Sequence, residues 1–131
     1  MTHSLTETLI QQTIARAQTR AREQGYAVCI AVVDDSGLLR GFLRMDDAVP
    51  GASIKKARTA SLFRTDSLDL GQMAQPGGAI YTLEATNGGL ISFGGGIVLH
   101  GDDGRMIGAV GVAGATVPDD QALALYAAGR V

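Results

Sequence analysis

Gly94-Gly95-Gly96-Ile97-Val98-Leu99-His100-Gly101-Asp102-Asp103-Gly104-Arg105-Met106-Ile107-Gly108-Ala109-Val110-Gly111-Val112-Ala113-Gly114 decides the fold. Ile97 to His100 and Arg105 to Val112 read as two apolar strands, joined across Gly101-Asp102-Asp103-Gly104. Apolar runs of this kind belong to strands covered on both faces, so the remaining elements must pack around the pair. A second hairpin of the same logic precedes it. Tyr26 to Val33 is β-rich and nearly all apolar, Asp34-Asp35-Ser36-Gly37 is turn chemistry, and Leu38 to Arg44 returns.

Helical patterns flank both hairpins. Leu5, Leu9, Ile10, Ile14, Ala17 and Ala21 form one stripe, with Ser4-Leu5-Thr6-Glu7 spaced as a capping box and Gly25 as the stop. Ser53 is placed to cap a helix from Ile54 to about Arg64, with Ile54, Ala57, Ala60, Ser61 and Phe63 inward. A further short turn runs from Thr65 to Met73, with Ser67 as its cap. Leu90 to Phe93 reads as another short strand. Pro118, Asp119 and Asp120 suit the first turn of a last helix whose apolar side is Ala122, Leu125, Tyr126 and Ala128 or Gly129. The order α-β-β-α-(α)-β-β-β-α predicts an α+β domain over residues 1–131: an antiparallel sheet of about five strands with helices on its faces.

Composition narrows the function classes. With 131 residues, 46% apolar and 18% charged, the chain can bury one core without staples. A net charge of −2 with interspersed signs gives no basic stripe, so nucleic acid is not an expected partner. No run approaches the roughly 18 apolar residues of a membrane span. Met1 to Glu7 lacks a basic segment followed by an apolar core, so a cytoplasmic protein is expected. The single cysteine, Cys29, lies mid-strand, where a thiol is an inert core residue, and no metal site is expected. Aromatic residues make up 5% and tryptophan is absent, so close backbone packing and association of several copies are ways to add buried area.

Two groups of residues could carry chemistry. Gly108, Gly111 and Gly114 continue into a strand, not a helix, and so read as packing glycines, not a phosphate cradle. Gly94, Gly95 and Gly96 cost backbone entropy with no turn to require all three, which marks a ligand or subunit contact and the edge of a pocket. Arg44, Asp46, Asp47, Lys55 and Lys56 bracket a loop between a strand end and a helix start, where sites tend to lie. A buried Lys56 would serve as base or anion clamp. His100 lies beside the acidic turn, and as an imidazole it is a candidate for proton transfer.

The ordered set Ala31-Val32-Val33-Asp34-Asp35-Ser36-Gly37, Arg44-Met45-Asp46-Asp47-Ala48, Lys56-Ala57-Arg58-Thr59-Ala60, Gly94-Gly95-Gly96-Ile97 and Ile107-Gly108-Ala109-Val110-Gly111-Val112-Ala113-Gly114 resembles the GlcG/HbpS-like family over nearly the whole chain. That family includes the C-terminal domain of PduO proteins and is often labelled haem-binding or haem-degrading. The resemblance implies a profilin-like sheet between helices, homo-oligomers, and haem binding in some members. Where relatives often carry Gly-Gly-x-Pro, this chain reads Gly95-Gly96-Ile97-Val98.

Three readings follow. The first is a small-molecule-binding homo-oligomer, with haem as the cofactor. Haem needs an apolar slot, cations for its propionates and an axial ligand. His3, His100, Met45, Met73 and Met106 are available as ligands, Arg44 and Lys56 as cations, and Gly94, Gly95 and Gly96 as the pocket edge. The second is an enzyme acting on a small carboxylate, with Lys56 and Arg44 as anion clamp and Asp46, Asp47 or His100 in proton transfer. The third is a ligand-free oligomer in which a neighbouring subunit covers Gly94 to Gly96. Convergence of Arg44, Asp46, Lys56 and His100 on one cavity would favour the second.

Overall fold

A computed structural model describes residues 4–130. Helix α1 (Glu7–Glu23) leads into strands β1 (Cys29–Asp34) and β2 (Leu39–Arg44), then helices α2 (Ser53–Phe63) and α3 (Ser67–Met73). A 3-10 turn at Leu83–Ala85 precedes β3 (Gly96–His100), β4 (Met106–Ala113) and the last helix, α4 (Val117–Ala127). The strands form one antiparallel sheet in the order β2-β1-β4-β3. No described helix is long and apolar enough to cross a membrane.

The period-2 alternation of β1 and β4 divides the core into two layers of different thickness. Ile30, Val32, Val110 and Val112 face α1 and α4, where Ile10, Ala17, Ala21, Leu123, Ala124 and Ala127 complete the larger cluster. Ala31, Val33 and Ala109 face α2, against Ala57 and Ala60. Small residues on both sides of this second layer let α2 lie almost on the strand backbone. Gly111 marks the closest approach: a Cβ there would overlap the Ser53 carbonyl and stand 2.7 Å from the Ala57 nitrogen. A strand glycine at such a crossing is required by packing, not by a ligand.

Several expectations change. The sheet has four strands among the described residues, not about five, because 90–93 is irregular. Its amides are taken by other partners: Ile91 N–H donates to Thr59 Oγ1, Ser92 N–H to Glu84 Oε2 and Leu90 N–H to the Glu84 carbonyl. With those donors engaged, the segment cannot extend the ladder. The first helix is capped by Thr6, whose Oγ1 accepts from Leu9 N–H at 3.1 Å, and not by Ser4. In α2 the buried stripe is Ser53, Lys56, Ala57, Ala60, with Thr59 and Ser61, while Ile54 and Phe63 are exposed. In α4 the buried side is Asp120, Leu123, Ala124 and Ala127, one step away from the expected face. Ser67 begins α3 without capping it; its hydroxyl ties Gly96 N–H to the Phe93 carbonyl instead.

Candidate functional site

The sequence candidates separate into three places. Register alone puts Arg44 and His100 at opposite ends of the sheet. Arg44 pairs with Cys29, which pairs with Ala113, whereas His100 pairs with Met106 at the far end of β3. His100 is exposed. His3 lies outside the described residues.

Lys56 is the largest fully buried side chain, 2% exposed. The phase of α2 explains this: Lys56 falls three residues after Ser53 and four before Ala60, on the stripe that meets the sheet. Its Nζ donates to Asp120 Oδ2 at 3.0 Å and to the Val112 carbonyl at 2.9 Å, and stands 5.1 Å from the centre of the Phe93 ring. An ammonium has three donors, and these partners engage two directly while the ring face takes up further positive charge. Asp120 is equally committed, since its Oδ1 accepts from Ala115 N–H at 2.9 Å.

The triple glycine wraps this ion pair. All three glycines are buried. Gly95 N–H donates to Gln121 Oε1, its carbonyl accepts from Val112 N–H, and a Cβ on it would stand 2.8 Å from the Lys56 Nζ and Cδ. Its φ of +122° is a conformation open to glycine and strained for other residues. Gly94, Gly95 and Gly96 are thus held against Gln121, Lys56 and Ser67. Arg44 and Asp46 are elsewhere.

Arg44 and Asp46 line a groove of about 350 Å³, with Gln18, Arg22, Tyr26 and Met45, between the C-terminal part of α1 and the end of β2. Ala27 and Leu43 add apolar wall. Arg44 Nε donates to the Ala48 carbonyl at 2.8 Å, which fixes the guanidinium over the loop leaving β2. Neither Arg22 nor Arg44 has a carboxylate partner among the described residues. Tyr26 donates its hydroxyl hydrogen to Asp119 Oδ2 at 2.8 Å, and Thr116 Oγ1 donates to the same oxygen. The two donors hold the Asp119 carboxyl below its ordinary range, and the carboxylate holds the Tyr26 phenol above its own.

Gln18 and Arg22 were not singled out by sequence because they lie off the apolar stripe of α1, and Tyr26 because it reads as the start of a strand. Asp120 was read only as a charge suiting a helix N-terminus. Lysine on a stripe otherwise made of serine and alanine was the one signal of the buried pair, and it depends on the helix phase.

The sequence pattern of the family described as haem degrading protein HbpS-like matches residues 5–129. The chain belongs to the HbpS-like family. Over 111 residues it is 38% identical to Protein GlcG of Escherichia coli, covering 82% of this chain and 80% of GlcG. It is also 35% identical over 119 residues to the corrinoid adenosyltransferase PduO of Salmonella typhimurium, covering 88% of this chain but 35% of PduO. Among solved HbpS-like structures, a PduOC:haem complex superposes with a TM-score of 0.90 at 32% identity, covering 98% of this chain and 95% of that one. The structure of HbpS superposes at 0.85 and 28% identity, covering 98% and 91%.

Proposed function

We propose that the protein binds haem in the groove between α1 and the end of β2, and that it does so as a homo-oligomer. One observation carries the reading: Met45, the apolar residues Ala27 and Leu43, and two arginines without carboxylate partners among the described residues line the same groove. These are the chemical parts haem requires, namely an axial donor, an apolar wall and cations for propionates. Haem supplies the iron and its redox chemistry; this chain supplies the seat. Met45 would be the donor to the iron. Tyr26 is a poorer one, because its phenol is engaged with Asp119 and kept protonated by it.

The similarity to a PduOC:haem complex supports the ligand class. A groove of about 350 Å³ lies at the small end of ligand sites and cannot enclose a tetrapyrrole, so a second copy of the chain is proposed to cover the exposed remainder. Gly94 to Gly96 contribute by fixing Lys56 and the sheet end, not by touching the ligand.

Haemin titration followed at the Soret band tests this. The wild-type protein is expected to give a saturable shift. The double variant Arg22→Gln/Arg44→Gln is expected to bind at least about tenfold more weakly, since charge-assisted contacts are worth roughly 1.5–3 kcal/mol each. A linear, unsaturable response, or a double variant that binds as tightly as wild type, contradicts the proposal.

A further inference from the structure

At the opposite end of the sheet a second groove, of about 260 Å³, is lined by Leu5, Asp34, Asp35, Arg40, Arg105 and Met106 among others. It opens where the β1–β2 turn, the start of β4 and the chain preceding α1 meet. Arg40 comes from β2 and Arg105 from the turn directly before β4, so two separate elements each deliver one guanidinium. Leu5 and Ile107, both mostly buried in the core, contribute the apolar part of a predominantly polar lining.

The lining holds two arginines and two aspartates, and they are not paired with one another. Asp34 is spent on its own turn, since its Oδ1 accepts from Ser36 N–H at 2.9 Å and Leu38 N–H at 3.0 Å. Neither arginine forms an ion pair with Asp34 or Asp35, although both carboxylates line the same groove. Arg40 makes one long contact, 3.4 Å from Nη1 to the Leu5 carbonyl, and Arg105 makes no side-chain hydrogen bond among the described residues. Two guanidiniums beside Leu5 and Ile107, neither ion-paired among the described residues, make a fork for oxyanions.

We propose that this groove is a second ligand site, independent of the haem reading, for a small organic dianion of the dicarboxylate class. The carboxylates meet Arg40 and Arg105, and the short carbon chain lies on Leu5 and Ile107. The volume limits the ligand to a few carbons beyond its carboxylates. Asp35 stands at the same groove as a like charge and weakens binding; it is a specificity element against larger polyanions.

The probe is succinate, titrated into isotopically labelled protein and followed by amide shifts. Saturable shifts are expected at Leu5, Asp35, Arg105, Met106 and Ile107. Arg40→Gln/Arg105→Gln should weaken binding at least about tenfold, while Asp35→Asn should tighten it. Both changes are at exposed positions, and undisturbed shifts elsewhere in the spectrum confirm the fold. Haemin binding should be unchanged in the double variant, so failure here and failure of the haem reading are separable. Shifts reproduced by sodium chloride at equal ionic strength, shifts that survive in the double variant, or weaker binding by Asp35→Asn would each overturn the proposal.

Discussion

Lys56 illustrates how one buried charge can look catalytic in a sequence and serve packing in the fold. Its ammonium holds Asp120, the Val112 carbonyl and the face of Phe93 together, joining α2, β4, α4 and the segment before β3. Removing one partner leaves the other charge buried and uncompensated. Lys56→Met should therefore cost roughly 3–5 kcal/mol of unfolding free energy, read from urea denaturation. The double change Lys56→Met/Asp120→Leu should recover part of that loss; a double variant that is worse than the sum of the singles would show that the pair is not the unit proposed. Gly95→Ala should be destabilising by at least ~1–3 kcal/mol, because the new methyl meets the Val112 carbonyl and Lys56 at a positive φ. The cluster was half legible: the glycines and Lys56 stand out in the sequence, but the contact of Lys56 with Asp120 spans 64 positions and depends on tertiary packing.

At the scale of elements, the existence and order of helices and strands were legible, and the phases were less so. Helix α2 carries few large apolar residues, so its buried face is chosen by how closely Ser53, Ala57 and Ala60 let it approach Gly111. Ile54 and Phe63 look like core residues by hydrophobicity and end on the outside. The apparent fifth strand fails for a related reason: side-chain acceptors on Thr59 and Glu84 reach its amides. Capping gives a direct check of α1. Thr6→Ala should cost about 1 kcal/mol and Ser4→Ala close to nothing, measured by thermal or chemical unfolding; the reverse order would restore the capping box at Ser4.

The Tyr26–Asp119–Thr116 contact joins the chain before β1 to the first turn of α4, and its pH dependence has a definite sign. Asp119 has a folded pKa below its unfolded one, so its contribution is present above the ordinary carboxylate pKa and is lost as pH falls through the lowered value. Tyr26 has a raised folded pKa, so its contribution is present below the ordinary tyrosine pKa and is lost as pH rises through the raised one. In Tyr26→Phe the Asp119 carboxyl should titrate higher than in wild type, followed by carboxyl-carbon shifts. An unchanged Asp119 titration would mean that Thr116 alone sets it.

For the molecule as a whole, two grooves lie at opposite ends of one sheet, and the sequence-derived site candidates fall in the first groove, around the buried pair and at the end of β3. Arg44, Asp46 and Met45 share the first groove. Arg40 and Arg105 share the second. Lys56 belongs to neither, and His100 stands apart on the outside of β3. A single cavity combining Arg44, Asp46, Lys56 and His100 is therefore not formed. Family membership was legible in the ordered motifs, because each of them marks a backbone crossing or turn that the fold cannot do without. The ligand-facing residues were not, since grooves are assembled from the exposed faces of elements whose phases packing decides.

The most direct test of the haem reading compares Met45→Leu with His100→Ala in a haemin titration at the Soret band. The leucine preserves the bulk and apolar character of Met45 while removing its sulfur donor. Met45→Leu is expected to lose or markedly alter the saturable Soret shift, and His100→Ala to retain it. A Met45→Leu protein with the wild-type shift, or an effect confined to His100→Ala, would contradict it.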